Sequence, residues 1–418
     1  MFRKEQTLPR SRSAAILQIR TFHALRYRDF RLLWSAQFAH SLSLWIEGVA
    51  RSWLVYEMTG SPFLLGLVQV FRATPLLLFG LLAGVMADRV DKRRLLIYTS
   101  IATMLLKFSL ALLITFGAVQ VWHVYVNGFL MGISMAFAQP VRSSMVPELV
   151  DKENLMNGVS LNQAAMNITR VFGPALAGIL ISFIGVGGVY YVSGGIYLVV
   201  IVTTALLRTR PVASRAKRDS VVRNLKEGFR FAAGNALVLA ILAIILGPLT
   251  FGWAYMTLMP IFADQVLKVG SSGLGLLTSA AGFGSVTGAA TMATLGNVRR
   301  KGWVILAGIL LFEVGLLGFA LSTLFPLSLM MLFLLGMGNS VARAVANTVL
   351  FHLTPEAFYG RITSMFTMDQ ALQPFAVTIA GTIAEFTSAP LAVTILALIG
   401  IIFILIVGST APQLRRLD

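Results

Sequence analysis

Apolar runs of roughly twenty residues recur along almost the whole of this 418-residue chain. A helix needs about 20 mainly apolar residues to cross a bilayer. In lipid only helices and closed barrels satisfy every backbone polar group. Twelve spans are expected, at 31–58, 62–87, 95–118, 122–145, 155–182, 185–207, 237–263, 270–295, 302–323, 326–350, 362–387 and 390–408. The fold class is therefore an all-α membrane protein of twelve transmembrane helices. Composition points the same way, because 57% of residues are hydrophobic and only 12% are charged, against about 25% in a soluble domain. The absence of cysteine excludes disulfides, thiol nucleophiles and cysteine-bound metal. Four scattered histidines suggest no ligand cluster, and no cofactor is expected.

Most connections are short. The exception, 208–236, opens with Arg208, Arg210 and Pro211 and continues basic, splitting the chain into six helices plus six. The expected organisation is a basic arm at 1–30, a six-helix bundle at 31–207, a basic linker at 208–236, a second bundle at 237–408 and a tail at 409–418. Cations mark the cytoplasmic side of a membrane protein. They concentrate before the first span, at Arg89, Lys92, Arg93 and Arg94, through 208–236, and at Arg299, Arg300 and Lys301. Among the opposite connections Lys268 stands out as an exception. Both termini are thus expected in the cytoplasm, with residues 14–30 able to lie on the membrane as a basic amphipathic helix. The net charge of +17 reads as topology and contact with anionic lipid rather than nucleic-acid binding. The N-terminus lacks the short apolar core of a cleavable signal peptide.

The halves repeat weakly. VPELVDKENL at 146–155 leads from the fourth span into the fifth, and LTPEAFYGRI at 353–362 from the tenth into the eleventh. Paired halves with a site between them near the midplane are characteristic of secondary transporters. The stretch AGVMADRVDKRRLL at 83–96 resembles the loop 2–3 motif of the major facilitator superfamily through Gly84, Asp88, Arg89, Arg93 and Arg94. NGVSLNQAAMNITRVFGPALAG at 157–178 and TPEAFYGRITSMF at 354–366 resemble a branch that includes bacterial siderophore (enterobactin) exporters and macrolide-efflux-like proteins. This resemblance covers 25–408 and implies two pseudo-symmetric six-helix bundles in a bacterial cytoplasmic membrane, acting as a monomer.

The resemblance also implies roles. The loop 2–3 residues would form a conformational latch, with Asp88 accepting charge-assisted bonds from the other half; equally, Lys92 and Arg93 fit simple positive-inside placement. At the corresponding place in the second half the sequence is GNVRRK, so Asn297 replaces the acid and no latch is expected there. Gly173, Pro174 and Gly178 resemble a fifth-helix motif associated with antiporters, which favours export. Proline also kinks a helix and glycine permits close packing without any such role.

Charges inside the spans are costly and usually functional. His40, Ser43, Glu47 and Arg51 share one face of the first helix. Glu47 and Arg72 lie at matching depth, about 15 Å from the outer end, and are expected to pair, leaving Arg51 for substrate or Glu57. Arg343 and Asp369 lie about 10 Å above the other end and form a second expected pair, with Gln373 one turn beyond Asp369. Gln163, Asn167 and Arg170 stripe the fifth helix. These stripes fit either a wet cavity whose carboxylates exchange protons or static bridges that fix packing. Lys107 and Glu313 lie in spans that the resemblance makes peripheral, and read as structural. Trp45, Trp53, Phe71, Trp253 and Tyr255 fit cavity walls or the interfacial belt.

The expected substrate and proton-coupling residues are Glu47, Arg51, Arg72, Arg170, Arg343, Asp369 and Gln373. Their cationic balance suits an anionic or hydrogen-bond-rich small molecule. The expected function is proton-driven export by alternating access, with a lipid flippase or uniporter as the alternative and a flux-free sensor or scaffold as another class. No GxxxxGK[ST] loop is present to suggest ATP drive, and neither HExxH nor a nucleophile with its base suggests an enzyme.

Overall fold

The computed structural model describes residues 20–87, 90–208, 230, 232–296, 298–355, 358–366, 368–415 and 417. Asp88, Arg89, Asn297 and most of the 208–236 linker lie outside them. The described chain is helical throughout its spans. They are α1 (Arg28–Thr59), α2 (Pro62–Ala87), α3 (Lys92–Thr115) and α4 (Val121–Leu149). The continuous segment Leu155–Ala205 provides α5 and α6. Then come α7 (Ala236–Val266), α8 (Gly270–Leu295), α9 (Lys301–Leu321) and α10 (Phe325–Leu353). The last are α11, in two pieces (Tyr359–Phe366 and Asp369–Phe386), and α12 (Ala389–Thr410). Eight segments among the described residues are long and apolar enough to cross a membrane by length and composition, one of them holding both α5 and α6. The spans outside these eight are α1 with its polar stripe, α8 with its many Gly, Ser and Thr residues, and the interrupted α11.

Local chemistry explains most boundaries. Gly60, in the left-handed region at φ 60, ends α1 and donates its N–H to Tyr56 O, as glycine does after many helices. The Asp91 side chain accepts from Arg94 N at 3.0 Å and caps α3; Asn235 and Ser388 cap α7 and α12 in the same way. The expected gap between the fifth and sixth spans shrinks to one residue. Gly185 (φ 67, ψ 174) breaks an otherwise unbroken helix, a conformation open to glycine because it has no Cβ. In α7 the prolines Pro248 and Pro260 sit in or beside wider π turns at Ile245–Leu249 and Phe262–Val266, which re-satisfy backbone groups that a proline leaves unbonded. Before α1, Arg20–Arg26 is a short 3-10 helix. It is followed by Tyr27, whose hydroxyl donates to Asp151 at 2.5 Å. The carboxylate beside it pushes the Tyr27 phenol above its ordinary value.

The two halves meet through α5 against α8 and α2 against α11. Glycine makes both contacts possible. A Cβ on Gly178 would lie 2.5 Å from Ser271 O, and one on Gly275 would lie 2.5 Å from Pro174 O. A Cβ on Gly381 would lie 2.7 Å from Pro62 O. At the same end of the bundle, Tyr56 donates to Asp264 at 2.6 Å. Glu385 accepts from the Ser61 hydroxyl at 2.6 Å and from Phe63 N–H at 3.1 Å. The halves are therefore pinned together at the end marked by Gly60 and Pro62.

Candidate transport cavity

Between the halves lies a cavity of about 350 Å³ lined by residues of α1, α2, α4, α7, α8 and α11. Trp45, Arg51, Arg72, Trp253 and Gln373 all face it. Its wall is mostly apolar with a few polar groups, the usual make-up of a small-molecule site. Of the expected aromatic walls, Trp45 and Trp253 serve. Trp53 turns to donate to Glu57 at 2.6 Å, Tyr255 is buried in the second half, and Phe71 stacks on Tyr125 at 5.1 Å.

The acid at the heart of α1 is shared. Arg51 Nη1 donates to Glu47 Oε1 at 2.7 Å, one helical turn away, and Arg72 Nη1 approaches Oε2 at 3.9 Å. Glu47 thus meets Arg72 as expected, yet its shorter bond goes to Arg51. Arg51 is therefore not left over, and Glu57 is not its partner. The i,i+4 spacing brings the Arg51 fork onto Glu47 without reaching across helices.

Lys107, expected to be structural in a peripheral span, reaches inward from α3. It is wholly buried and belongs to the same polar core. Its ammonium donates to Ser193 Oγ at 2.6 Å and Ser43 Oγ at 2.8 Å, and lies 5.3 Å from the centre of the Tyr197 ring. His40 Nδ1 meets the Tyr197 hydroxyl at 2.8 Å. Two members, Arg142 and Tyr197, were not singled out in the sequence. Arg142 follows Pro140 toward the expected cytoplasmic end of α4, where a cation fits topology, and Tyr197 sits in an apolar run where Ser193, four residues earlier, is a weak polar signal.

Arg170 bridges the halves. Its guanidinium carbon lies 5.8 Å from the Trp45 ring centre on α1 and 5.0 Å from the Trp253 ring centre on α7. Cation–π attraction operates within about 6 Å. Its backbone oxygen lies against Gly282 of α8. Gly173, three residues on, makes room for Trp45, since a Cβ there would lie 2.7 Å from Trp45 Cβ. The Gly173, Pro174 and Gly178 motif is thus the surface on which α5 receives α1 and α8. Gln163 and Asn167, expected on the same stripe, meet at 3.5 Å.

In the second half Arg343 Nη2 donates to Asp369 Oδ2 at 2.7 Å while its Nε donates to Asn339 Oδ1 at 2.9 Å. This is the pairing that depth implied. Of the loop 2–3 residues, Gly84 lies within α2, and Asp88 and Arg89 fall outside the described residues. Arg93 donates to Ala205 O at the end of α6, and Lys92 meets Glu148 of α4 at 2.5 Å. Arg94 approaches Asp91 at 3.7 Å on the surface. These three cations tie α3 to its own half and its own cap.

Two helical halves joined at one end around a shared, partly cationic cavity define a membrane transporter of the major facilitator fold. Solved structures agree on the fold. The nucleoside transporter NupG has a TM-score of 0.71 at 11% identity, with 91% of this chain and 98% of that one covered. A bacterial homologue of the human lysosomal transporter Spinster, solved inward-facing and unoccupied, has 0.70 at 13%, covering 95% and 99%. The chain belongs to the transmembrane secretion effector family, whose model matches residues 19–417. It is 26% identical over 340 residues to the enterobactin exporter EntS of Shigella boydii serotype 4 (strain Sb227), covering 81% of this chain and 80% of that protein. It is 24% identical over 350 residues to the staphyloferrin A transporter of Staphylococcus aureus (strain NCTC 8325 / PS 47), covering 82% and 86%.

Proposed function

We propose that this protein exports an anionic or hydrogen-bond-rich amphipathic molecule, such as a siderophore, from a bacterial cytoplasm by alternating access. The observation that carries this reading is the composition of the central cavity. Arg51 and Arg72 face it beside the indoles of Trp45 and Trp253, and Glu47 is already engaged by both arginines. Guanidinium forks suit carboxylates and catecholates, and indole faces suit flat rings. The relatives named as siderophore transporters support the cargo class. With both termini cytoplasmic, the pinned Gly60 end is the outer face, and the cavity takes its cargo from inside.

Glu47 and Asp369 are the proton-coupling residues in this reading, and the Gly173-Pro174-Gly178 surface supports antiport. A second reading arises from the Glu47 cluster itself. An anion that draws Arg72 from Glu47 and a proton that neutralises Glu47 each make room for the other, so cargo and proton would travel in the same direction. Everted vesicles with an acid interior separate the two. Siderophores, anionic lipids, macrolides and cationic dyes would be added in turn while luminal pH is followed. Alkalinisation by an anionic cargo, lost in Glu47→Gln, supports antiport. Acidification supports movement with the proton. Labelled cargo crossing without any pH change identifies a uniporter or flippase, and a flux-free sensor would move none.

A further inference from the structure

A second and much smaller cavity, of about 30 Å³, lies wholly inside the first half between α1, α2, α3, α4 and α6. His40, Glu47, Arg72, Lys107, Arg142 and Tyr197 face it. Its charges do not balance. Three cations, Arg72, Lys107 and Arg142, share one carboxylate, and Glu47 has already given its closest oxygen to a fourth, Arg51, at 2.7 Å. Arg72 reaches Glu47 only at 3.9 Å. Lys107 is 1% exposed and donates to the neutral oxygens of Ser43 and Ser193. Arg142 is 5% exposed, and its Nη1 has no acceptor among the described residues.

A guanidinium cannot shed its proton inside a protein, and a buried cation is tolerated when it is paired. From this we infer that the first half binds one small monovalent inorganic anion, of the size and charge of chloride, between Arg142, Lys107 and Arg72. The volume decides the ligand class. It is enough for one or two water-sized particles and far too small for a siderophore, a lipid headgroup or any cargo of the central cavity. The hydroxyls of Thr103 and Ser134, which also face it, donate to Thr99 O at 2.8 Å and to Leu130 O at 3.3 Å and would have to turn from these carbonyls to meet an anion. Such an ion would hold α4 to α1 and α3 by charge whatever the protein transports.

The test is binding of radiolabelled chloride to the purified full chain in detergent, in gluconate buffer of constant ionic strength. One saturable site per chain is expected, displaced by bromide and nitrate but not by the larger sulfate. The same anions are expected to raise Tm saturably by mass action. Arg142→Gln is expected to weaken chloride binding at least about tenfold. Arg142→Lys, which keeps the charge and covers the case in which the glutamine variant does not fold, is expected to weaken it less. The absence of saturable binding in the parent overturns the inference. So does displacement by sulfate as strong as by bromide, or unchanged binding in a monodisperse Arg142 variant. None of these outcomes bears on the transport reading, which the vesicle assay tests separately.

Discussion

The two halves have one fold and opposite electrostatics. In the first, Glu47 and Arg51 form a bridge whose side chains are 2% and 4% exposed, surrounded by further cations. In the second, Asp369 and Arg343 form a bridge of the same length with side chains 17% and 28% exposed. The second half also buries a lone acid, Glu313 on α9. Neither of its carboxylate oxygens has a partner among the described residues, and both lie close to Gly400 of α12. Cations therefore exceed acids at the buried centre of one half, while an unpaired acid sits in the other. A shared helical frame fixes where helices go and leaves the charge on their inner faces free to diverge.

Several substitutions would break or sharpen that contrast. The largest effect is expected from Glu47→Gln, which strands Arg51 and Arg72 in a buried site. Removing one partner of a buried pair costs about 3–5 kcal/mol, read as a lower Tm of the purified protein together with lost flux. Gly178→Val comes next. Its side chain enters the α5–α8 contact, and such overpacking costs about 1–3 kcal/mol. Because the chain has no cysteine, a Ser61→Cys, Glu385→Cys pair reports the closure at the Gly60 end directly, and Gly178→Val should lower its crosslinking yield. Asp369→Asn should cost less, about 1 kcal/mol, since a bridge whose side chains are 17% and 28% exposed keeps some contact with water; a cost equal to that of Glu47→Gln would erase the contrast between halves. The smallest change is expected from Glu313→Met. It replaces an unpartnered acid by an apolar chain of similar size, with stability within about 1 kcal/mol of the parent or above it and flux retained. Loss of flux in a stable Glu313→Met protein would make the second half's acid functional.

The sequence disclosed the helices well because lipid imposes a length on each span, and α2 (Pro62–Ala87) and α8 (Gly270–Leu295) coincide with the expected ranges. It was less informative where backbone detail decides. The Gly185 break, the π turns of α7 and the interruption of α11 before Asp369 depend on local backbone geometry that an apolar run conceals. Depth along a helix was enough to pair Arg343 with Asp369. It was not enough for the first half, where Arg51 and Arg72 compete for one acid and only side-chain reach decides. The central position of Lys107, which the sequence places in a peripheral span, and the whole role of Arg142 are hidden for a different reason. Their place in the core depends on how α3 and α4 are rotated, and a nearly uniform apolar helix carries little signal for rotation.

The Arg170 guanidinium between Trp45 of one half and Trp253 of the other has an optical consequence. Indole emission responds to a nearby cation, and only six tryptophans are present. In the proposed alternating access, rocking of the halves would separate Arg170 from Trp253 or slide one past the other while leaving Trp45 on the same half as Arg170. The protein would thus carry an unlabelled gauge of that proposed motion, with a Trp253→Phe protein as the blank against which it can be watched in the ultraviolet.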